Sequence, residues 1–204
     1  MLTLDPDARP EAAALLDGKW FRDHGAEAKG ELPKCLPSRL RAFMAASQFK
    51  KIALSLAAQL SNDEDIKEMQ DTFVTLDKNK DGKLTCAEIS EGMTSHGISL
   101  PADFMEVMST VDTDGSGAID YTEFIASTLS RKQYLREELL WNIFRTFDLD
   151  GDGKIQQEEF AQVVSLSDQA DLVSMFQEVD ISKDGQIDFS EFRSVMRSAS
   201  KAGA

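Results

Sequence analysis

Four stretches of twelve residues carry oxygen-bearing side chains at the same offsets: DKNKDGKLTCAE from Asp77, DTDGSGAIDYTE from Asp112, DLDGDGKIQQEE from Asp148 and DISKDGQIDFSE from Asp180. Positions 1, 3 and 5 offer Asp77, Asn79 and Asp81; Asp112, Asp114 and Ser116; Asp148, Asp150 and Asp152; and Asp180, Ser182 and Asp184. Position 7, which needs only a backbone carbonyl, is Lys83, Ala118, Lys154 and Gln186, and position 12 is Glu88, Glu123, Glu159 and Glu191. Calcium is a hard cation that takes roughly six to eight oxygens at roughly 2.3–2.6 Å, and a short turn can aim that many inward only at such a spacing. Glycine fills position 6 of every stretch, where the chain turns sharply. Four calcium ions (Ca2+) are therefore expected as the cofactor. No catalytic residue is assigned, because the acids that could do acid–base work are already committed as ligands.

This pattern is the EF-hand loop, which requires a helix on either side. Apolar residues at helical spacing precede each loop: Ile66, Met69, Phe73 and Leu76; Phe104, Val107, Met108 and Val111; Leu140, Ile143, Phe144 and Phe147; Leu172, Met175, Phe176 and Val179. Position 8 is Leu84, Ile119, Ile155 or Ile187, suited to a short strand that pairs the two loops of a lobe. The loops begin 35, 36 and 32 residues apart, which pairs the first with the second and the third with the fourth. The expected fold class is all-α, an EF-hand (calmodulin-like) arrangement of two lobes of paired hands plus a long N-terminal junction helix.

With 204 residues, 42% of them hydrophobic, the chain can bury one large core or two small ones. A net charge of −14 argues against unaided binding to nucleic acid or to an anionic membrane, and favours a cation or a basic partner segment. Cys35 and Cys86 are far apart, and His24 and His96 are isolated, so neither a disulfide framework nor a zinc site is indicated. No apolar run approaches a membrane span, and the first residues lack a signal pattern; the cytosol is the expected compartment.

Residues 37–60, PSRLRAFMAASQFKKIALSLAAQL, contain no glycine, and no proline after the first residue, which predicts one helix of about six turns. Ser61 with Glu64 reads as a capping box that starts the next helix. Phe49, Ile52, Leu56 and Leu60 share one face; Leu40, Phe43, Met44, Leu54 and Ala58 lie roughly opposite, with Arg39, Arg41, Lys50 and Lys51 between. Such a helix is either a core element or a basic target for calmodulin-like lobes, here tethered to the lobes that would bind it.

LRAFMAASQFKKIALSLAAQL followed by SNDEDIKEMQDTFVTLDKNKDGKL resembles the junction and first hand of the calcium-dependent protein kinases. The opening LDPDARPEAAALLDGKWF is similar to the last helix of a protein-kinase C-lobe: Asp5, Pro6, Arg9, Ala12, Leu16, Trp20 and Phe21 match its usual form, and Gly18 and Lys19 replace His-Pro. The resemblance implies a kinase-lobe end at 1–22, a linker at 23–36, an autoinhibitory junction helix at 37–60, lobes at 61–130 and 131–198, and a tail at 199–204. It further implies that calcium loading makes the lobes bind the junction helix and relieve autoinhibition of a serine/threonine kinase domain. The expected partners are thus the chain's own junction helix and that kinase domain, with the kinase and any lipid anchor placed before Met1. The chain holds no G-x-G-x-x-G loop, V-A-I-K lysine, H-R-D or D-F-G, so phosphotransfer is expected of the parent protein alone. The alternative reading is a free-standing calmodulin-like sensor or a calcium buffer. A calcium-dependent dimer is compatible with either.

Overall fold

The structure, a computed structural model, describes residues 32–164 and 169–198. The kinase-like stretch from Leu4 to Phe21, most of the expected linker and the tail lie outside the described residues. The helices are α1 (Leu36–Met44), α2 (Gln48–Leu60), α3 (Asp63–Leu76), α4 (Cys86–Ser95), α5 (Phe104–Val111), α6 (Tyr121–Thr128), α7 (Arg131–Tyr134), α8 (Glu137–Phe147), α9 (Gln157–Val163), α10 (Gln169–Val179) and α11 (Phe189–Arg197). Four short strands lie among them: β1 (Lys83–Leu84), β2 (Ile119–Asp120), β3 (Lys154–Gln156) and β4 (Gln186–Asp188). The fold is all-α, and among the described residues no helix is long and apolar enough to cross a membrane.

The stripes read from the sequence are the core. Phe73 and Leu76 of α3, Val107 and Val111 of α5, Phe144 and Phe147 of α8, and Phe176 and Val179 of α10 are all buried. Strand β1 pairs antiparallel with β2, setting Leu84 opposite Ile119, and β3 pairs with β4, setting Ile155 opposite Ile187. A slip of one residue would turn these side chains out of the core, so burial specifies the register.

Two local expectations are corrected. Residues 37–60 form two helices rather than one: α1 ends at Met44, and Ser47, in extended conformation, caps α2 by accepting from the Lys50 N–H at 3.4 Å. A serine that can satisfy an orphan N–H offers a new helix start even where nothing forbids continuing the old one. The expected capping box at Ser61 does not form. The Ser61 hydroxyl donates back to the Ala57 carbonyl at 2.6 Å, and α3 starts one residue later, with Asn62 at its cap and Asp63, Glu64 and Asp65 in its first turn. Three acids at a helix N-terminus favour the start electrostatically without a side-chain cap.

Both lobes hold the junction. Helix α1 packs on α5 and α6, while α2 packs on α6, α8 and α10. The buried face of α2 is Phe49, Lys50, Ala53, Leu54, Ala57 and Ala58. Its alanines let α6 approach closely, and Leu60, expected to share the Phe49 face, is 41% exposed.

Candidate calcium loops and the captured helix

Each loop is shaped by its own carboxylates. At position 1, the Oδ2 atoms of Asp77, Asp112, Asp148 and Asp180 accept the N–H of the position-6 glycine, at 3.0, 2.8, 3.0 and 3.0 Å. Those glycines lie at φ between 81° and 87°, in the left-handed region where a side chain is strained. Farther along, Asn79, Asp114 and Asp150 at position 3 each accept the position-5 N–H, and Asp81, Asp152 and Asp184 at position 5 each accept the position-7 N–H. Ser182, at position 3 of the fourth loop, instead donates its N–H to Glu191 Oε1 at 2.7 Å. Ser116 Oγ donates to the carbonyl of Ala118, the backbone oxygen assigned to position 7. The carbonyl-bearing Lys83, Lys154 and Gln186 lie in β1, β3 and β4 at the loop exits.

The glutamate at position 12 is also the third residue of the helix that leaves the loop. Its Oε2 accepts the N–H of position 9 in all four: Thr85 to Glu88 at 2.9 Å, Asp120 to Glu123 at 3.0 Å, Gln156 to Glu159 at 2.8 Å and Asp188 to Glu191 at 3.0 Å. In the second and third loops Oε1 reaches across to position 2, accepting from Thr113 at 2.7 Å and Leu149 at 2.8 Å. One end of the glutamate thus starts a helix while the other closes the loop. Reading the ligands alone misses this second role, although the spacing from position 9 to position 12 is that of a capping box.

A second unforeseen feature is position 4, which is also left-handed. Gly115 and Gly151 occupy it in the second and third loops, but Lys80 and Lys183 do so in the first and fourth, at φ 59° and 60°. The glycines were the available signal.

The side chains fit a cation. One oxygen from each of Asp112, Asp114 and Glu123 lies within 4.8 Å of the others, and the same holds for Asp148, Asp150 and Asp152. Asp77 Oδ1 is buried and has no hydrogen-bond partner. A buried carboxylate oxygen left so is costly, and a divalent ion would satisfy it. The Thr85 N–H, joined by the Thr85 hydroxyl, holds the Glu88 carboxyl below the usual carboxylate range, and the Ser116 N–H does the same first for Asp114. Both groups are therefore in the charged form that binds metal.

The junction has a deep aromatic anchor in the second lobe. Phe49, with no exposed surface, lies 5.9 Å from Phe147, 5.8 Å from Phe160 and 5.9 Å from Phe192 between ring centroids, against the floor of the second lobe. Leu36, Leu40, Phe43 and Leu54 are buried as well, and the junction cations add polar contacts. Arg41 makes a forked pair with Asp103, at 2.9 and 3.1 Å from Nε, which lowers the Asp103 pKa and raises that of Arg41. Arg39 donates to the Thr128 carbonyl at 3.2 Å, at the end of α6, and lies 3.6 Å from Glu68. Lys50 is 4% exposed, and its Nζ donates to the Ser198 carbonyl at 2.7 Å. Lys51 places its Nζ 5.9 Å from the centre of the Phe43 ring.

Residues 66–129 and 137–197 each match the EF-hand domain pair. Calcium-dependent protein kinase 21 of Arabidopsis thaliana is 35% identical over 205 residues, covering 98% of this chain and 38% of the relative. Calcium-dependent protein kinase 17 of the same plant is 34% identical over 183 residues, covering 88% and 35%. Calcium-dependent protein kinase 3 of Plasmodium berghei (strain Anka) is 32% identical over 165 residues, covering 80% and 30%. The chain spans about a third of the length of the curated relatives it matches.

Proposed function

The chain belongs to the EF-hand family and matches the calmodulin-like domains of calcium-dependent protein kinases, and from that premise we propose that it is a calcium-sensing regulatory module acting on a serine/threonine kinase domain of the same polypeptide. EF-hand pairs bind calcium. Here the ions are four, one per loop, held by the side chains at positions 1, 3, 5 and 12 and the carbonyl at position 7. Loading makes the lobes grip α1 and α2, and the gripped segment no longer blocks the kinase.

The observation that carries this reading is the seat of Phe49 among Phe147, Phe160 and Phe192. A tethered target is presented at an effective concentration of order millimolar, so modest intrinsic affinity is enough to fill the groove. Calcium can drive the change only by binding the gripping arrangement more tightly than the released one. Moving the balance from almost wholly inhibited to almost wholly active takes about 5.5 kcal/mol, a demand that several coupled sites can share.

Small-angle scattering with calcium and with chelator tests the capture. The chain should contract on loading, and Phe49→Ala, which removes about 3–5 kcal/mol of core packing, should bind calcium yet contract far less. Equal contraction in the variant would refute capture through Phe49, and no contraction in either chain would indicate a buffer. Joined to a kinase domain, the same variant should stay largely inactive at saturating calcium.

A further inference from the structure

A cavity of about 540 Å³ opens where the break between α1 and α2, the end of α6, helix α7 and Ser198 meet. Among the described residues its lining includes Arg39, Arg41, Lys50 and Arg131 and no carboxylate, in a chain whose net charge is −14. Two of these cations are matched, Arg41 by Asp103 and Arg39 by Glu68. Lys50 and Arg131 are not. Among the described residues neither has a carboxylate within ion-pair distance; Lys50 donates to the carbonyl of Ser198, and Arg131 to that of Arg197. A carbonyl dipole and the face of the Tyr134 ring, whose centre is 5.5 Å from the Lys50 Nζ, supply only part of a counter-charge to a buried ammonium, so the site is short of full negative charge. Phe43, Ala46, Leu54 and Leu129 form an apolar wall beside it. An apolar hollow with a few convergent polar groups is the usual construction of a small-molecule site.

We propose that this cavity binds an amphipathic organic anion, a carboxylate or phosphate head on a short aliphatic body, with Lys50 and Arg131 meeting the head and Phe43, Leu54 and Leu129 the body. The inference rests on the capture reading in one respect: the walls come from the junction and from both lobes, so the anion binds the captured arrangement. It therefore favours that arrangement, and anion and calcium tighten one another by the same factor. Two discriminations follow from the chemistry. A neutral alcohol leaves Lys50 uncompensated, and inorganic phosphate leaves the apolar wall uncovered.

Calorimetric titration of the full 204-residue chain in calcium with decyl phosphate, decanoate, decanol and inorganic phosphate tests this. The first two should bind one to one, the stronger identifying the preferred head, and the last two should bind at least about tenfold more weakly. Lys50→Met and Arg131→Gln should each weaken decyl phosphate by about tenfold. Arg131 is exposed, so its variant keeps the test decisive where Lys50→Met disturbs folding. Undiminished binding to Arg131→Gln, or decanol or inorganic phosphate binding as tightly as decyl phosphate, overturns the proposal. Scattering on the same samples separates the two readings. Calcium-driven contraction without anion binding removes the cavity site and leaves capture standing; anion binding of equal strength in chelator upholds the site and counts against calcium-driven capture.

Discussion

Glu123 has two oxygens with different duties: Oε2 accepts the Asp120 N–H that starts α6, and Oε1 accepts the Thr113 N–H across the loop. Glu123→Gln keeps an acceptor for the helix but loses the charge that a bidentate ligand brings to calcium. The substitution should lower calcium affinity at the second loop by about tenfold or more, leaving helix content unchanged, as residue-resolved NMR titration would report. Lys183 presents the opposite case, a long side chain in a left-handed conformation that costs about 1–2 kcal/mol where glycine is nearly free. Allowing for the greater freedom that glycine has when unfolded, Lys183→Gly should stabilise the calcium-free chain by roughly 0.5–1 kcal/mol in urea melts. At this scale the hydrogen-bonded frame of each loop was legible, because the aspartate at position 1 and the glycine at position 6 are what so tight a turn requires. The strain at Lys80 and Lys183 was not, because a lysine at position 4 reads as an ordinary solvated residue, and the backbone angle belongs to the loop as a whole.

Among the elements, the junction shows where local reading fails. Alanine and leucine favour helix throughout residues 37–60, and neither glycine nor proline marks the interruption, so propensity alone predicts one rod. The packing decides otherwise: α1 lies on α5 and α6, α2 must reach α8 and α10 as well, and a break lets the two segments take separate directions. Ser47 makes the break tolerable by capping the second segment. Ser47→Ala should therefore cost about 1 kcal/mol, seen as lowered thermal stability and faster amide exchange in the first turn of α2. The four loop-flanking stripes were legible for the reverse reason, since helical spacing and burial agree at each of them. The faces of α2 were only half legible. Phe49 and Leu54 stood out by size, whereas Ala53 and Ala57, which let α6 come close, carry too little hydrophobic weight to be noticed, and Lys50 reads as solvated although it is buried.

For the molecule as a whole, Lys50 couples the seam between the lobes to pH. Burial first, and then Arg131, push its pKa below the ordinary lysine value of about 10.4. The unfolded chain consequently holds this proton to higher pH than the folded one. The resulting penalty on the folded state is present in full below the lowered value and is relieved as pH rises through it toward the unfolded one. Thermal melts in calcium should show the native chain gaining stability relative to Lys50→Met across that alkaline window, and a constant difference would show that the lysine is not desolvated in solution. Two lobes of paired hands were apparent from the loop spacing. That the lobes would take hold of the junction was implied by the resemblance; that the held segment is interrupted, and that Lys50 reaches Ser198 across 148 residues, was not, since both depend on contacts distant in sequence.

The ladders between β1 and β2 and between β3 and β4 carry a consequence at this same scale. Each ties the backbones of the two loops of a lobe together by hydrogen bonds, with Leu84 facing Ile119 and Ile155 facing Ile187. An ion that settles one loop also orders its neighbour, and the next ion meets a chain whose conformational freedom is already reduced. Occupancy should then climb over a narrower range of calcium concentration than separate loops would allow. With its loops so joined in pairs, the module should answer calcium as a threshold rather than as a dose, and a calcium titration no steeper than a single-site curve would count against it.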